Sequence, residues 1–423
     1  MRGRLAIVSS PAMLRKTPSR YDVLIVGGGP AGSTAAILLS KAGWSVALIE
    51  KASFPRPKVC GEFISATSFL LLFELGVGKQ FVALAGPEIT HVGLYSADTV
   101  IEAPMPGLHQ QSGRWGRALG RDQLDLLLLE AARKAGAHVW QPYRAISMTR
   151  NTNEWACAIA RDGHVTELSA QVLINAAGSL EKGPFFSGQH IARDDDWLAF
   201  KAHFRDLNVR DAVMPLLAFP GGYGGLVKSD GRKVSLSCCI RRDVLQWCRK
   251  GSQERAGQAV LRHILQSCRE LHPSFTHAKL EGNWLAAGPI RPGFRSPYRN
   301  GVFMVGNSAG EAHPIIAEGI SMAIQSAWLL AKCLISEAHS LLSSSDPAAL
   351  GGVYTNDWYA AFGLRVRAAN LFAHLAMSPG ANIFCKPILQ HIPQLMTLGA
   401  KLSGKSRPLE GLFRLQSANR SPC

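Results

Sequence analysis

The sequence predicts a mixed α/β fold in which a buried parallel sheet is combined with an antiparallel lobe and a C-terminal helical segment. Three observations predict it. Apolar, partly β-branched runs at 23–26 and 302–305 end directly in glycine, as strands buried on both faces of a parallel sheet do. Apolar and polar residues alternate between 194 and 285, which favours an antiparallel sheet. A helical period runs from 364 to 420.

A glycine motif follows the strand predicted at 23–26. It consists of Gly27, Gly29, Pro30, Ala31 and Gly32. Without side chains at its three glycines, the backbone can turn tightly, approach a pyrophosphate and let the next helix pack on the strand. That helix is predicted over 31–42, and its N-terminal amides would face phosphates.

A second buried strand, 45–49, ends at Glu50. The carboxylate can accept two hydrogen bonds from an adenosine ribose, which argues against a 2′-phosphorylated dinucleotide. Because strand, glycines, helix, second strand and acid occur in this order, the sequence predicts a Rossmann-like dinucleotide site. The alternative is a glycine-rich turn that binds no ligand.

Composition limits the possible partners. A chain of 423 residues can form more than one lobe, and a net charge of +16 permits an anionic membrane, a nucleic acid or an acidic protein as partner. We expect no metal site and no nucleic-acid binding, because zinc spacings and basic stretches interleaved with aromatics are missing from the sequence.

Nine cysteines without a CxxC pair indicate a reducing, cytoplasmic compartment. Residues 1–20 are interpreted as a basic extension, and no apolar run is long enough to predict a transmembrane helix.

The loop after Glu50 carries positive charge at Lys51, Arg56 and Lys58. It leaves the end of a strand, where open α/β sheets bind ligands, so it could neutralise a pyrophosphate or an anionic ring. Cys60 follows in this loop and is either redox-active or simply well packed.

Two further stretches are candidates for cofactor contacts. Arg121 heads a predicted helix, where it either reaches a phosphate or is exposed to solvent. The strand predicted at 172–174 ends in small residues, Ala177 and Gly178, which allow close approach to a cofactor.

A second strand-and-glycine unit lies near residue 305. The residues that shape it are Gly306, Asn307, Pro314, Gly319 and Ile320. A helix is predicted to open at Gly319. Its N-terminus, if aimed at a planar ring, would stabilise the negative charge that grows there during reduction.

These motifs, in this order, resemble the FAD-dependent superfamily of aromatic-ring hydroxylases, flavin halogenases and geranylgeranyl reductases, and most resemble the last branch. The resemblance covers 21 to about 330. It implies that the first motif binds the ADP half of FAD, that Arg121 supports the pyrophosphate, and that the second motif holds the ribityl chain and flavin ring. The expected divisions are an FAD-binding domain at 21–80, 112–190 and 286–345, a substrate lobe at 81–111 and 191–285, and a helical cap at 346–423.

The sequence departs from the family pattern in places. Asn307 and Ala177 stand where the family usually has Asp, and the second change concerns a segment that the family associates with nicotinamide handling. Tyr223 keeps the tyrosine of the reductases' Tyr-x-Trp motif, but the tryptophan is replaced by Gly225. The lysine and paired tryptophans of halogenases are missing, which argues against chlorination. Since a second dinucleotide fingerprint is missing from the sequence, NAD(P)H as electron donor would bind only transiently.

The sequence therefore predicts a FAD-dependent oxidoreductase acting on an apolar small molecule of prenyl or polyketide type. The favoured chemistry is hydroxylation by a monooxygenase. One alternative is a reductase or dehydrogenase of carbon–carbon double bonds, in which Cys60, Glu62 or Tyr223 would handle the proton. Another is a non-catalytic flavin-binding protein. The basic C-terminal segment would either cap the substrate lobe or make a peripheral contact with an anionic membrane.

Overall fold

A computed structural model of the chain describes residues 19–108, 114–152, 154–179, 185, 191–337, 347–377 and 386–406. The strands, in chain order, are β1 (Arg20–Val26), β2 (Val46–Ile49), β3 (Phe63–Ile64), β4 (His91–Ser96), β5 (Thr99–Pro104), β6 (Arg117–Ala118), β7 (His138–Trp140), β8 (Arg144–Arg150), β9 (Trp155–Arg161), β10 (His164–Asn175), β11 (Trp197–Arg205), β12 (Val213–Phe219), β13 (Gly222–Lys228), β14 (Val234–Arg241), β15 (Lys279–Ile290), β16 (Gly293–Phe294), β17 (Tyr298–Arg299), β18 (Val302–Met304) and β19 (Gly310–Glu311).

The helices, in chain order, are α1 (Pro30–Lys41), α2 (Phe69–Glu74), α3 (Gly78–Leu84), α4 (Arg121–Lys134), α5 (Arg242–Arg249), α6 (Ala256–Ser267), α7 (His272–Phe275), α8 (Gly319–Ser336) and α9 (Pro347–Met377). A further helix, Gln394–Ala400, lies in the C-terminal segment, by which we mean 386–406. Short 3-10 turns are formed by Ala66–Ser68, Asp230–Arg232, Arg269–Leu271, Gly306–Ser308 and Pro314–Ile316, and a π turn by Lys401–Lys405.

The first sheet is built around five parallel strands in the order β18-β10-β1-β2-β7. Antiparallel strands extend it: β17 pairs with β18, and the β8–β9 hairpin pairs with the first half of β10. Alternate residues of β1 enter different cores, Val23 and Ile25 among helices and Leu24 against the β8–β9 layer. The carboxyl ends of the parallel strands thus meet at one edge.

The second sheet has the order β15-β11-β14-β13-β12-β4-β5 and is antiparallel except for the β4–β12 pair. Its two faces have different roles. Phe200, Leu236 and Cys238 form a core that includes residues of α5 and α6. Ala199 and Cys239, one position along their strands, point to the other face and belong to a separate cluster.

Several element boundaries differ from the sequence expectations. The short strands expected at 165–168 and 172–174 are one continuous strand, β10, because its first half pairs with β9 and its second half with β1. The helix expected at 253–271 is shorter, ending at Ser267. The vicinal Cys238 and Cys239 are free thiols on opposite faces, as their positions in a strand require. Residues 1–18 and 407–423 lie outside the described part of the chain.

The sequence expectation that no apolar run reaches spanning length is wrong for α8, the one described helix that is long and apolar enough to cross a membrane by length and composition. Of its 18 residues, 72% are buried inside the protein, where Ile324 and Trp328 join the core of the first sheet. This burial is that of a core helix.

Candidate functional site

The carboxyl ends of β1, β2 and β10 open onto a cavity of about 470 Å³. Eight of the residues singled out from the sequence line it: Gly27, Gly29, Glu50, Lys51, Arg56, Lys58, Ala177 and Gly178. They come from four separate stretches of the chain, which the parallel sheet brings to one edge. The cavity therefore lies where open α/β sheets bind their ligands.

The first glycine motif shapes the cavity through its backbone. A Cβ on Gly27 would lie 2.5 Å from the carbonyl oxygen of Ala176, and a Cβ on Gly32 would lie 1.8 Å from that of Gly27. These positions accept no side chain because β1, β10 and α1 pack closely there. Gly29 differs, since a Cβ on it would meet only a guanidinium nitrogen of Arg121, at 3.8 Å. Its Cα faces space that a ligand can use.

Helix α1 begins at Pro30 without a side-chain cap and without an acid in its first turn. Its N-terminal backbone amides are therefore available to an anion, and the helix dipole favours negative charge at this end. Ala31 and Gly32 are buried behind this turn and fix the helix against the sheet.

Glu50 holds the glycine loop in place. Its Oε2 accepts a hydrogen bond from the Gly28 amide at 2.8 Å, and its Oε1 accepts one from the Ala52 amide at 2.8 Å. Each carboxylate oxygen has a second lone pair, which leaves acceptor capacity toward the cavity. The position is compatible with the ribose contact expected from the sequence.

The cavity is strongly basic. Its described lining includes one carboxylate, Glu50, and six cationic side chains: Lys51, Arg56, Lys58, Arg144, Arg295 and Arg299. Fixed positive charge around a concave site of this kind attracts and orients a polyanion such as a pyrophosphate.

Arg121 lies behind Gly29 and is buried. Its guanidinium donates to both carboxylate oxygens of Asp125, at 2.7 Å each. Burial alone would lower the pKa of Arg121, but the charge of Asp125 outweighs it and the pKa is raised. The structure thus rejects the solvent-exposed alternative for Arg121 and places a permanently charged, oriented guanidinium beside the start of α1.

The second glycine motif meets the first directly. A Cβ on Gly306 would lie 3.0 Å from the Cβ of Ala31, so the turn after β18 packs against the first turn of α1. Ser308 joins this turn to the end of β10, because its Oγ accepts a hydrogen bond from the Gly178 amide at 3.0 Å. Arg295 donates to the carbonyl oxygen of Asn307 at 3.1 Å and so connects the turn to the basic cavity wall.

Helix α8 starts at Gly319 and is followed by the buried Ile320. A Cβ on Gly319 would meet nothing within 4 Å, and α8, like α1, has no side-chain cap and no acid in its first turn. The preceding turn begins at Pro314, and Glu318 next to the helix start is held by Ser65, whose Oγ donates to it at 3.2 Å. Gly29 and Gly319 therefore each lie at the uncapped N-terminus of a helix, Gly29 at that of α1 and Gly319 at that of α8.

Glu62 links the two sheets. Its carboxylate forms a buried ion pair with Lys201, lies 3.3 Å from His203, and accepts a hydrogen bond from the Arg121 amide at 3.2 Å. Burial alone would raise the pKa of Glu62, but the hydrogen bond from His203 and the charges of Lys201 and His203 lower it to about 2. An acid that is ionised above about pH 2 is a poor proton donor, so the geometry assigns Glu62 a structural role in place of the proposed catalytic one.

Cys60 lies in the same loop but makes different contacts. Its Sγ accepts a hydrogen bond from the Glu62 amide at 3.5 Å and interacts with the Arg121 guanidinium. Its carbonyl oxygen accepts a hydrogen bond from Ser237 of β14 at 2.9 Å. The second sheet therefore contacts this loop at two points, through Ser237 at Cys60 and through Lys201 at Glu62.

Tyr223, on β13, faces the loop that leads to α8. Its ring lies 5.1 Å from the His313 ring and 5.9 Å from the Trp197 ring, centroid to centroid. Burial, together with the neighbouring Cys239 thiol, raises its pKa well above the ordinary value, so the hydroxyl stays protonated. Tyr223 is separated from the Glu62 cluster along the sheet face, and the structure does not join the three proposed catalytic residues into one group.

The histidine opposite Tyr223 is also neutral. His313 is buried, its Nδ1 lacks a hydrogen-bond partner among the described residues, and burial lowers its pKa to about 4. The pKa of the nearby Glu311 is raised, chiefly by burial and against the lowering effect of Ser179 and Arg295. Tyr223, His313 and Trp197 therefore form an aromatic cluster at this end of the site.

Comparison with known proteins identifies the family. The model of the FAD binding domain family matches residues 20–342, more than half of the chain. The chain belongs to this family. It is a flavin-dependent oxidoreductase, because its relatives are flavin-dependent reductases and halogenases.

Among curated relatives, menaquinone reductase of Mycolicibacterium smegmatis is 23% identical over 417 residues, which covers 91% of this chain and 92% of that protein. Menaquinone reductase of Mycobacterium tuberculosis is 31% identical over 163 residues, and that match spans only 38% of its length. Digeranylgeranylglycerophospholipid reductase of Thermoplasma volcanium is 31% identical over 217 residues, covering 48% of this chain and 52% of that protein.

Solved structures show the same fold. The flavin-dependent brominase Bmp2 superposes with a TM-score of 0.73 at 20% identity, covering 91% of this chain and 94% of that one. A geranylgeranyl bacteriochlorophyll reductase-like protein of Thermoplasma acidophilum gives a TM-score of 0.65 at 21% identity, with 93% and 94% covered.

The residues present fit FAD. The uncapped start of α1, the basic wall and the side-chain-free Gly29 suit the pyrophosphate, and Glu50 suits the ribose. The open position at Gly319 and the uncapped start of α8 suit the flavin ring of FAD. Asn307 stands where an acid is usual, but its carbonyl is fixed by Arg295, so the turn keeps its shape.

Several residues of the site were not identified from the sequence: Lys201, His203, Arg295, Glu311 and His313. Lys201 and His203 gave one signal, since both are polar residues on the same face of an otherwise apolar strand. His313 precedes Pro314, inside the second motif, and its position there was the available signal. Among the residues that the structure describes, no group of His, Cys, Asp or Glu could hold a metal ion.

Proposed function

We propose that this flavoprotein is a reductase that saturates a carbon–carbon double bond in an apolar, prenyl-type substrate. The observation that carries the proposal is Tyr223, a buried and protonated tyrosine whose ring packs against His313, in the loop before α8, and whose hydroxyl lies beside the Cys239 thiol. A reductase of this kind needs a neutral proton donor beside the flavin ring, whereas a hydroxylase has no such requirement at the substrate carbon.

The surroundings of Tyr223 suit an apolar chain. Ala199 and Ile290 are buried in the same cluster, and Val59 and Ile315 pack against it. Such side chains exclude water and recognise a hydrocarbon without fixing a polar group. The names of the relatives, reductases of menaquinone and of a digeranylgeranyl lipid, support the same substrate class.

FAD held by the basic cavity and the start of α1 would, once reduced, supply the hydride that one carbon of the double bond needs. Tyr223 Oη donates a proton to the other carbon, so that the π bond is lost and two C–H bonds form, and the tyrosinate regains its proton from solvent after the product has left. The apolar cluster orients the substrate and keeps water from the reacting carbons. NAD(P)H is the proposed transient reductant of the flavin.

The test uses the FAD-loaded protein, reduced with dithionite under anaerobic conditions and mixed with menaquinone or geranylgeranyl diphosphate. We expect reoxidation of the flavin and a product whose prenyl chain is heavier by two hydrogen atoms and stays so in air, whereas a quinol formed from menaquinone would return to the quinone. A product that appears only after air is admitted and is heavier by one oxygen atom would support the hydroxylase instead. Flavin that stays reduced with both substrates, and no product with or without air, would support a non-catalytic role.

A further inference from the structure

The C-terminal segment carries an exposed apolar stripe. Five large aliphatic residues in it are between 40% and 50% exposed: Ile388, Ile392, Leu395, Leu398 and Leu402. They recur every three or four residues over two short helices, 386–391 and Gln394–Ala400, and the π turn that follows. Exposed apolar residues scattered singly are ordinary, but a row of them within one segment marks an interaction surface.

Other residues of the segment hold it to the protein. Thr397 Oγ1 donates to the carbonyl oxygen of Pro104 at 2.7 Å, and Met396 and Ala400 pack against a core cluster that includes Phe63. Beyond them, Lys405 forms a buried ion pair with Glu318, at 3.1 Å, next to the start of α8. The segment is therefore docked on the protein through Met396, Thr397, Ala400 and Lys405, and the stripe residues stay exposed.

The neighbouring helix extends the apolar surface. Leu364 and Leu371 are seven residues apart on α9 and are 63% and 56% exposed. The two elements are adjacent, because a Cβ on Gly399 would lie 3.5 Å from the ring of Phe372. The exposed surface is thus wider than a single helix.

The charge around the stripe is positive. Lys386 and Lys401 lie among its residues, and the described segment 386–406 contains no acidic residue. The whole chain carries a net charge of +16. An apolar surface with a basic border complements an anionic bilayer, which offers both hydrocarbon and negative charge.

We propose that this stripe is a docking surface for a bilayer that contains anionic lipid. A second copy of the chain is a poorer occupant, because two such surfaces would bring like charges together. The aliphatic side chains enter the boundary between head groups and acyl chains, and the basic residues remain at the level of the head groups. The segment rests on the surface without crossing it. This proposal does not depend on the identity of the substrate.

The test is flotation of the full-length, FAD-loaded protein with vesicles of phosphatidylcholine alone or with added phosphatidylglycerol. We expect binding to the anionic vesicles. A variant with Ile388→Ser, Leu395→Ser and Leu398→Ser should lose at least about tenfold in partition coefficient. Ile146→Ser with Val165→Ser, which changes exposed aliphatic residues on the first sheet, is the matched control and should bind like the wild type.

Retained flavin absorbance and an unchanged melting temperature show that the stripe variant is folded. Wild-type protein that fails to float with anionic vesicles overturns the proposal, as does a stripe variant that floats equally well. Concentration-dependent dimerisation that disappears in the stripe variant, without any vesicle binding, would assign the surface to a second copy.

Discussion

The carboxylate of Glu62 and the ammonium of Lys201 form an ion pair whose side chains are both almost fully buried. The two residues are 139 positions apart, on the loop after β2 and on β11. The pair therefore fastens the second sheet onto the FAD-binding part of the chain. Each buried charge is stabilised by the other, so removing either residue leaves the remaining charge buried and unpaired.

Removing one partner should destabilise the protein strongly. We expect Glu62→Gln to lower the free energy of unfolding by about 3–5 kcal/mol, because Lys201 is left as a buried, unpaired charge. The double variant Glu62→Gln, Lys201→Met should recover part of that loss. Urea unfolding measures both. Glu130→Gln, at the exposed Arg133 pair, is the control and should change stability by less than about 0.5 kcal/mol.

His313 should make stability depend on pH. Its pKa is lowered from 6.5 to about 4 in the folded protein, so the unfolded chain binds the proton first as pH falls. Stability is complete above pH 6.5 and declines as pH falls toward 4, by at most roughly 3 kcal/mol. His313→Gln should remove this part of the slope, measured by urea unfolding at several pH values.

The FAD-binding half of the site was predictable from the sequence because its determinants are local. Gly27, Gly29 and Glu50 lie within one strand-helix-strand unit, and the backbone geometry of that unit fixes their relation. The second motif was recognisable for the same reason, since Gly306 and Gly319 flank short turns. The structure adds the contact between Gly306 and Ala31, which no local pattern encodes.

The roles of Glu62, Tyr223 and His313 were predicted less well, because they depend on partners that are distant in the sequence. Glu62 looked like a candidate acid, yet Lys201 and His203, on another sheet, hold it ionised. Tyr223 was named as a candidate, but its partner His313 was not, although the two rings are in contact. A sequence shows which side chains are available, whereas the pKa of each is set by packing between sheets.

Tyr223→Phe tests the proposed proton donor. The variant keeps the ring and its contacts with His313 and loses only the hydroxyl. We expect the rate of flavin reoxidation by substrate to fall about 100-fold, the lower range for general acid catalysis, with FAD affinity unchanged. Anaerobic stopped-flow absorbance measures the rate. Tyr95→Phe, on β4 and not among the residues that line the cavity, should have no effect, and a Tyr223→Phe variant at the wild-type rate would exclude this hydroxyl as the donor.

Gly29→Ala tests whether the cavity at the start of α1 holds the FAD pyrophosphate. A Cβ there meets only Arg121 Nη2, at 3.8 Å, so the protein itself has room for it and the apoprotein should remain as stable as the wild type. The methyl group would instead occupy ligand space, and overpacking of roughly 1–3 kcal/mol corresponds to an affinity loss of about 5- to 150-fold. Titration of the apoprotein with FAD, followed by flavin fluorescence, measures it.

Gly352→Ala is the matched control for this variant. Gly352 is exposed on α9, a Cβ on it meets nothing within 4 Å, and alanine should stabilise the helix by up to about 1 kcal/mol. FAD affinity should not change, because the residue is not among those that line the cavity. If Gly29→Ala bound FAD as tightly as Gly352→Ala does, the pyrophosphate would have to lie elsewhere, and the assignment of the basic cavity would be wrong.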